Sequence, residues 1–153
     1  MSPELRDHVA VALEELRELL ATYRDVIQRS RATAPSAVEA AALGALLHSF
    51  YTGIENIFKR IAVDHEGGPP AGDTLHRALL DAAATPVASR PLVISTALRD
   101  RLLPYLSFRH VFRHAYTFQL RWPKMAMLVW ECEATLEVLE TELRAFLGLH
   151  GEP

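Results

Sequence analysis

Apolar residues recur along the first 29 positions at Leu5, Val9, Leu13, Leu16, Leu20, Tyr23 and Ile27. Steps of three and four predict an amphipathic helix over 3–29, with Ser2 as cap and Pro3 in the first helical position. A polar linker, 30–35, precedes Ser36-Ala37-Val38-Glu39, a capping box in which Ser36 and Glu39 satisfy each other's backbone. The helix it opens extends to about Val63. Leu43, Leu46, Leu47, Phe50, Ile54, Ile57, Phe58 and Ile61 give it a broad apolar face, which marks it as the central helix.

The stretch 64–72 holds Gly67-Gly68-Pro69-Pro70 and Gly72, which breaks the helix. No Gly-Lys-Ser/Thr follows, so it is not a phosphate loop. Asp73 or Thr74 caps a short helix through Ala83, and 85–91 is loop. Ser95 caps a fourth helix, in which Pro104 predicts a kink or a division into two pieces. After a turn over 117–122, Pro123 opens a fifth helix to about Leu147, with Gly148 as its stop. The only β-branched patch, 87–96, contains Pro91, and no strand is predicted. The expected fold is all-α: an up-down bundle of four long helices plus a short one, forming a single domain over 1–153.

At 153 residues, half of them apolar and with a net charge of −3, the chain is expected to close one core and not to be disordered. The single Cys132 forms no internal disulfide and reads as a small core residue in a reducing compartment. Acidic residues arrive at once (Glu4, Asp7), so no signal peptide is read. No uncharged apolar run approaches the length of a bilayer span. The expectation is a cytoplasmic protein with no membrane partner.

Charge changes this picture. Between Arg99 and Lys124 lie six of the 16 Lys/Arg but one of the 19 Asp/Glu, so this segment is near +5 and the remainder near −8. Within it stands Arg109-His110-Val111-Phe112-Arg113-His114-Ala115-Tyr116, an Arg-x4-His-x-Tyr pattern. Concentrated positive charge around a titratable His suits a phosphate-bearing ligand, with RNA foremost. RNA carries its own nucleophile, the ribose 2′-OH. A His moves the proton, and an Arg grips the scissile phosphate and stabilises charge growing on its oxygens. No metal or other cofactor is required, and DNA is spared.

On a helix Arg109 and Arg113 share one face, and His110 and His114 a neighbouring one. Arg109 and His114, five apart, diverge within one chain. A site using both needs the helix to end near His114 or a second copy across a dimer axis. His110-x3-His114 is also a zinc spacing, but a third ligand is not evident and the flanking arginines repel a cation. Met125, Met127, Phe118 and Trp122 read as packing rather than a base-stacking platform. Tyr51 and Glu55, one turn apart on the second helix, are candidates to face the same cleft. A buried Glu55 needs a partner, of which Arg is the most natural. His76 reads as a capping or buried structural His.

These residues resemble the HEPN superfamily and, within it, the HepT-like ribonuclease toxins. The likeness rests on Phe50-Tyr51-Thr52-Gly53-Ile54-Glu55, on Leu75-His76-Arg77-Ala78-Leu79-Leu80 and on Phe108 through Tyr116, and spans about 36–147. It implies a helical homodimer whose two motifs form one composite cleft and a metal-independent endoribonuclease that restrains growth. It also implies a separate minimal nucleotidyltransferase as antitoxin, which in some systems transfers AMP to the motif Tyr. From their own charge, Arg113 and His110 are expected to bind RNA phosphate and tune RNA affinity. Carried over by residue, Arg109 and His114 are catalytic and Tyr116 accepts AMP. The added charge and bulk would block the place where RNA phosphate sits. The alternative is a non-catalytic module that binds a nucleotide or substrate for a nucleotidyltransferase. A third reading, a helical protein whose basic face binds an acidic partner, needs charge alone.

Overall fold

The computed structural model describes residues 2–68, 75–114 and 120–148. Five helices follow one another: α1 (Pro3–Ser30), α2 (Ala37–Glu66), α3 (Leu75–Ala83), α4 (Thr96–His114) and α5 (Trp122–Phe146). Among the described residues there is no strand; the β-branched patch holds only an isolated bridge between Val87 and Arg90.

The ends form where the side chains can hold them. Ser2 accepts from the Leu5 N–H, and Ser36 and Glu39 close the capping box. Gly67 ends α2 at φ 76°, a backbone region that a side chain resists. Ser95 Oγ accepts from the Leu98 N–H at 3.1 Å and itself donates to Glu142 of α5.

Contacts fix the topology. Between α1 and α2, Ser2 bonds Asp64, Leu16 abuts Gly53 and Arg29 pairs with Glu39. Between α2 and α4, Phe112 lies beside Gly44 and Arg109 bonds Thr52. Arg101 reaches Thr135 and Tyr105 reaches Leu128 between α4 and α5; Arg17 meets Glu140 and Trp130 meets Ser30 between α1 and α5. In every pair one number rises as the other falls, so neighbours are antiparallel. The four long helices therefore form an up-down bundle.

α2 packs against all the others. Leu43, Leu46, Leu47, Phe50, Tyr51 and Ile54 are completely buried, and their burial is the main force that closes the bundle. Over Ala37–His65 this helix is also long and apolar enough to cross a bilayer by length and composition. The same composition is what a central bundle helix requires.

Of the two outcomes expected at Pro104, division is not found: α4 is continuous over Thr96–His114. The proline removes a bond to the Asp100 carbonyl, but both residues are exposed, where water satisfies the freed acceptor. On the opposite side Leu102 and Tyr105 are buried, and the Tyr105 hydroxyl donates to Leu128 O at 2.7 Å. Packing holds the two halves in one continuous helix.

α3 buries Leu79, Leu80 and Ala83. The loop after it is drawn in by Arg90, whose guanidinium donates to the carbonyls of Ala82, Thr85 and Pro91. Cys132 is buried without a disulfide, and burial pushes its thiol up to about 12, which agrees with a core residue.

Candidate nucleic-acid interface

The C-terminal half of α4 carries the basic pattern, and its faces diverge as the spacing requires. Arg109 is half-buried and turns toward α2, where its Nε donates to Thr52 Oγ1 at 3.1 Å. His110, Arg113 and His114 are exposed. The rings of His110 and His114 lie 4.7 Å apart, centre to centre. Within one chain Arg109 and His114 therefore do not converge. Part of this arrangement has a plain electrostatic reason, because Arg113 and His114 occupy the last turn of α4, where the helix dipole favours cations.

The dipole does not account for the missing counter-charges. Arg99 pairs with Asp81 at 2.8 Å and with Asp100 at 3.0 Å. Among the described residues neither Arg109 nor Arg113 has a carboxylate partner. Two guanidiniums one turn apart without an acid repel each other and favour any anion that seats between them.

α2 supplies the opposite wall. His48 is half-buried, with its ring 5.3 Å from that of Phe112. Its Nδ1 is buried and has no hydrogen-bond partner among the described residues. Burial first, then Arg109 and Arg113, hold its pKa below 6.5, so the ring is neutral at physiological pH. Gly44, one turn earlier, makes the close approach possible. A Cβ there would stand 2.8 Å from Leu120 Cδ1 and 3.1 Å from Phe112 Cε2.

One turn further along α2, Tyr51 is buried with its hydroxyl unpartnered among the described residues. Burial and the nearby Glu55 raise its pKa, so it stays a neutral phenol. Glu55 is also buried, but its partners are not arginines. His76 Nδ1 lies 2.8 Å from Oε2 and Lys59 Nζ 3.4 Å from Oε1. The expectation of an Arg partner is therefore corrected: His76 reaches Glu55 because α3 packs across α2 at this level. Tyr51 and Glu55 sit in the wall behind Arg109, not at an open surface.

On the other side of α4 an apolar groove of about 640 Å³ runs against α5, lined by Pro104, Phe108, Val111, Leu120, Met127 and Leu128 among others. Val111 and Met127 are 54% and 57% exposed. Met127 therefore does not pack inside, whereas Met125 is buried and Trp122 meets Trp130 edge-on. No group of three or more His, Cys, Asp or Glu that could hold a metal ion occurs among the described residues. Tyr116 and Phe118 lie outside the described residues.

A family description, HepT-like protein, matches residues 42–149. The chain belongs to the HepT-like family. The match takes in α3, α4, α5 and nearly all of α2, and so every residue of the basic interface and its wall. Searches of the curated proteins and of the solved structures found no match. This HepT-like chain shares the all-helical HEPN architecture, and family membership supports, at that level, a HEPN-type ribonuclease toxin.

His48 is the interface residue that the sequence reading did not single out. A His inside the apolar run of α2 looks like core. Only the antiparallel register with α4, which carries Phe112 and the two arginines to it, distinguishes this histidine.

Proposed function

We propose that this HepT-like protein is a metal-independent endoribonuclease toxin that works as a homodimer. The observation that carries this reading is the pair of guanidiniums at 109 and 113 without an acid partner among the described residues, beside two exposed histidines on a HepT-like α4. In the proposed reaction His114 takes the proton of a ribose 2′-OH. The 2′ oxygen attacks the adjacent phosphorus, and the bond to the 5′ oxygen breaks. That oxygen takes a proton from solvent as it leaves, His114 returns its own to solvent, and a 2′,3′-cyclic phosphate remains. Arg109 holds the non-bridging oxygens as their charge grows, while Arg113 and His110 hold flanking phosphates.

Arg109 and His114 diverge within one chain, so the reading requires two chains. An isologous dimer closing along the exposed side of α4 gives Arg109 of one protomer a His114 from its partner. The apolar groove beside the motif, with Val111 and Met127 uncovered, supplies surface for such an interface.

The partner is proposed to be a separate minimal nucleotidyltransferase, in the cytoplasm, that transfers AMP to Tyr116. Intact mass after co-expression should show added nucleotide in wild type and none in Tyr116→Phe. An unchanged wild-type mass would instead mean inhibition by binding alone.

The activity is tested by incubating purified protein with total RNA in EDTA, with His114→Ala alongside. Cleavage by wild type and not by the variant is expected. A folded, dimeric, unmodified wild type that leaves RNA intact contradicts the reading and favours a non-catalytic partner of a nucleotidyltransferase.

A further inference from the structure

The residues given a catalytic or phosphate-binding role so far, Arg109, His110, Arg113 and His114, all lie on α4. The wall of α2 opposite them carries a histidine with no role in that reaction, and its surroundings are unusual for a packing residue. As α2 runs from Gly44 to Thr52, its neighbours on α4 run back from Phe112 to Arg109. This register sets Thr52 against Arg109. His48, one turn before Thr52, falls opposite Phe112, within electrostatic reach of Arg109 and Arg113.

Structural histidines that are half-buried usually bond both ring nitrogens or expose them. His48 does neither. Its Nδ1 is buried without a partner among the described residues, whereas Nε2 is not a buried unpartnered atom and so keeps access to the surface. The charged groups acting on the ring are Arg109 and Arg113 of α4, and no carboxylate among the described residues offsets them.

We propose that His48 is a third phosphate ligand of this interface, facing Arg109 and Arg113 from α2, and that it becomes protonated as an anionic phosphodiester seats between them. The proposal rests on the reading of this interface as an RNA site. In the free protein two guanidiniums make a third positive charge costly. A phosphate placed between them cancels that repulsion and offers an oxygen to Nε2–H. The proton comes from solvent, so binding and proton uptake are linked. Affinity therefore rises as pH falls from the bound-state pKa of His48 toward its lower free-state value, and is flat above the former. Each unit by which binding raises this pKa corresponds to about 10-fold tighter binding at the acidic end than at pH ~8. A histidine here also separates two jobs: His114 stays free to move the reaction's proton while His48 holds charge.

The test reads the imidazole itself. Ring 1H–13C resonances of the wild-type protein are titrated alone and with a saturating, fully 2′-O-methylated oligoribonucleotide, which keeps the phosphates and lacks the nucleophile. His48→Gln and, independently, His48→Asn identify the signal. The expected result is a midpoint below 6.5 in the free protein that rises by about one unit or more with the oligonucleotide. A midpoint that stays in place or falls overturns the proposal. If it stays while RNA is cut, the ribonuclease reading survives without His48. If it rises while RNA remains uncut, His48 is a phosphate ligand and the nuclease reading fails. Absence of binding overturns both.

Discussion

The two halves of α4 carry the same kind of charge to different ends. Before Pro104, Arg99 is tied to Asp81 and Asp100, and Arg101 Nε donates to Thr135 Oγ1 of α5. After it, Arg109 has a neutral threonine, Arg113 has no ion pair among the described residues, and two histidines stand in the open. The first half uses its arginines to bind helix to helix. The second leaves their charge uncompensated, which costs stability through mutual repulsion and has a use only when an anion arrives. α2 repeats the contrast: Glu55 is closed off by His76 and Lys59, while His48 has a nitrogen unpartnered among the described residues.

The contrast breaks most sharply under substitution of Arg109. Arg109→Ala should lower RNA cleavage by about 10²–10³-fold, the usual consequence of removing one donor to developing charge. Its stability should fall by only ~1 kcal/mol, because the single bond lost is to Thr52. Cleavage within a few-fold of wild type would place Arg109 with the structural half.

Glu55→Ala should do the reverse. It removes the buried acid shared by His76 and Lys59 and should lower unfolding free energy by about 1–3 kcal/mol in urea. The figure is reduced from that of a fully buried pair because both partners reach solvent. An unchanged urea midpoint would show that the cluster does not tie α3 to α2.

For Arg113→Ala the effect belongs to binding. The slope of log affinity against log salt for single-stranded RNA should shrink by about 0.7. A loss of affinity that is independent of salt would argue against a phosphate contact there. Arg99→Ala should leave that slope unchanged and alter stability little, as expected for a pair near the surface. A reduced slope for Arg99→Ala would erase the distinction between the halves.

What could be read from the sequence is what depends on near neighbours. The α1 stripe, the Ser36–Glu39 box, the Ser95 cap and Gly148 as a stop all act within a turn of their position, and each is found there. The divergence of Arg109 from His114 followed from helical spacing alone. Three features depended on tertiary contacts and escaped. Pro104 left α4 whole because Leu102 and Tyr105 are anchored on the other side. Glu55 met His76 rather than an arginine because α3 crosses α2 at that level. His48 acquired its surroundings from a helix some sixty residues away, and no local pattern signals such a register.

The central claim is that Arg109 of one protomer works with His114 of its partner. Mixing the two inactive variants tests it directly: Arg109→Ala and His114→Ala are unfolded together, refolded as mixed dimers and assayed on RNA in EDTA. A mixed dimer contains one intact pair across the interface and none within a chain. The account predicts that activity absent from each variant alone returns on mixing, up to about half of wild type in each mixed dimer if the two pairs act independently. Mixed dimers that form but stay inactive would contradict it.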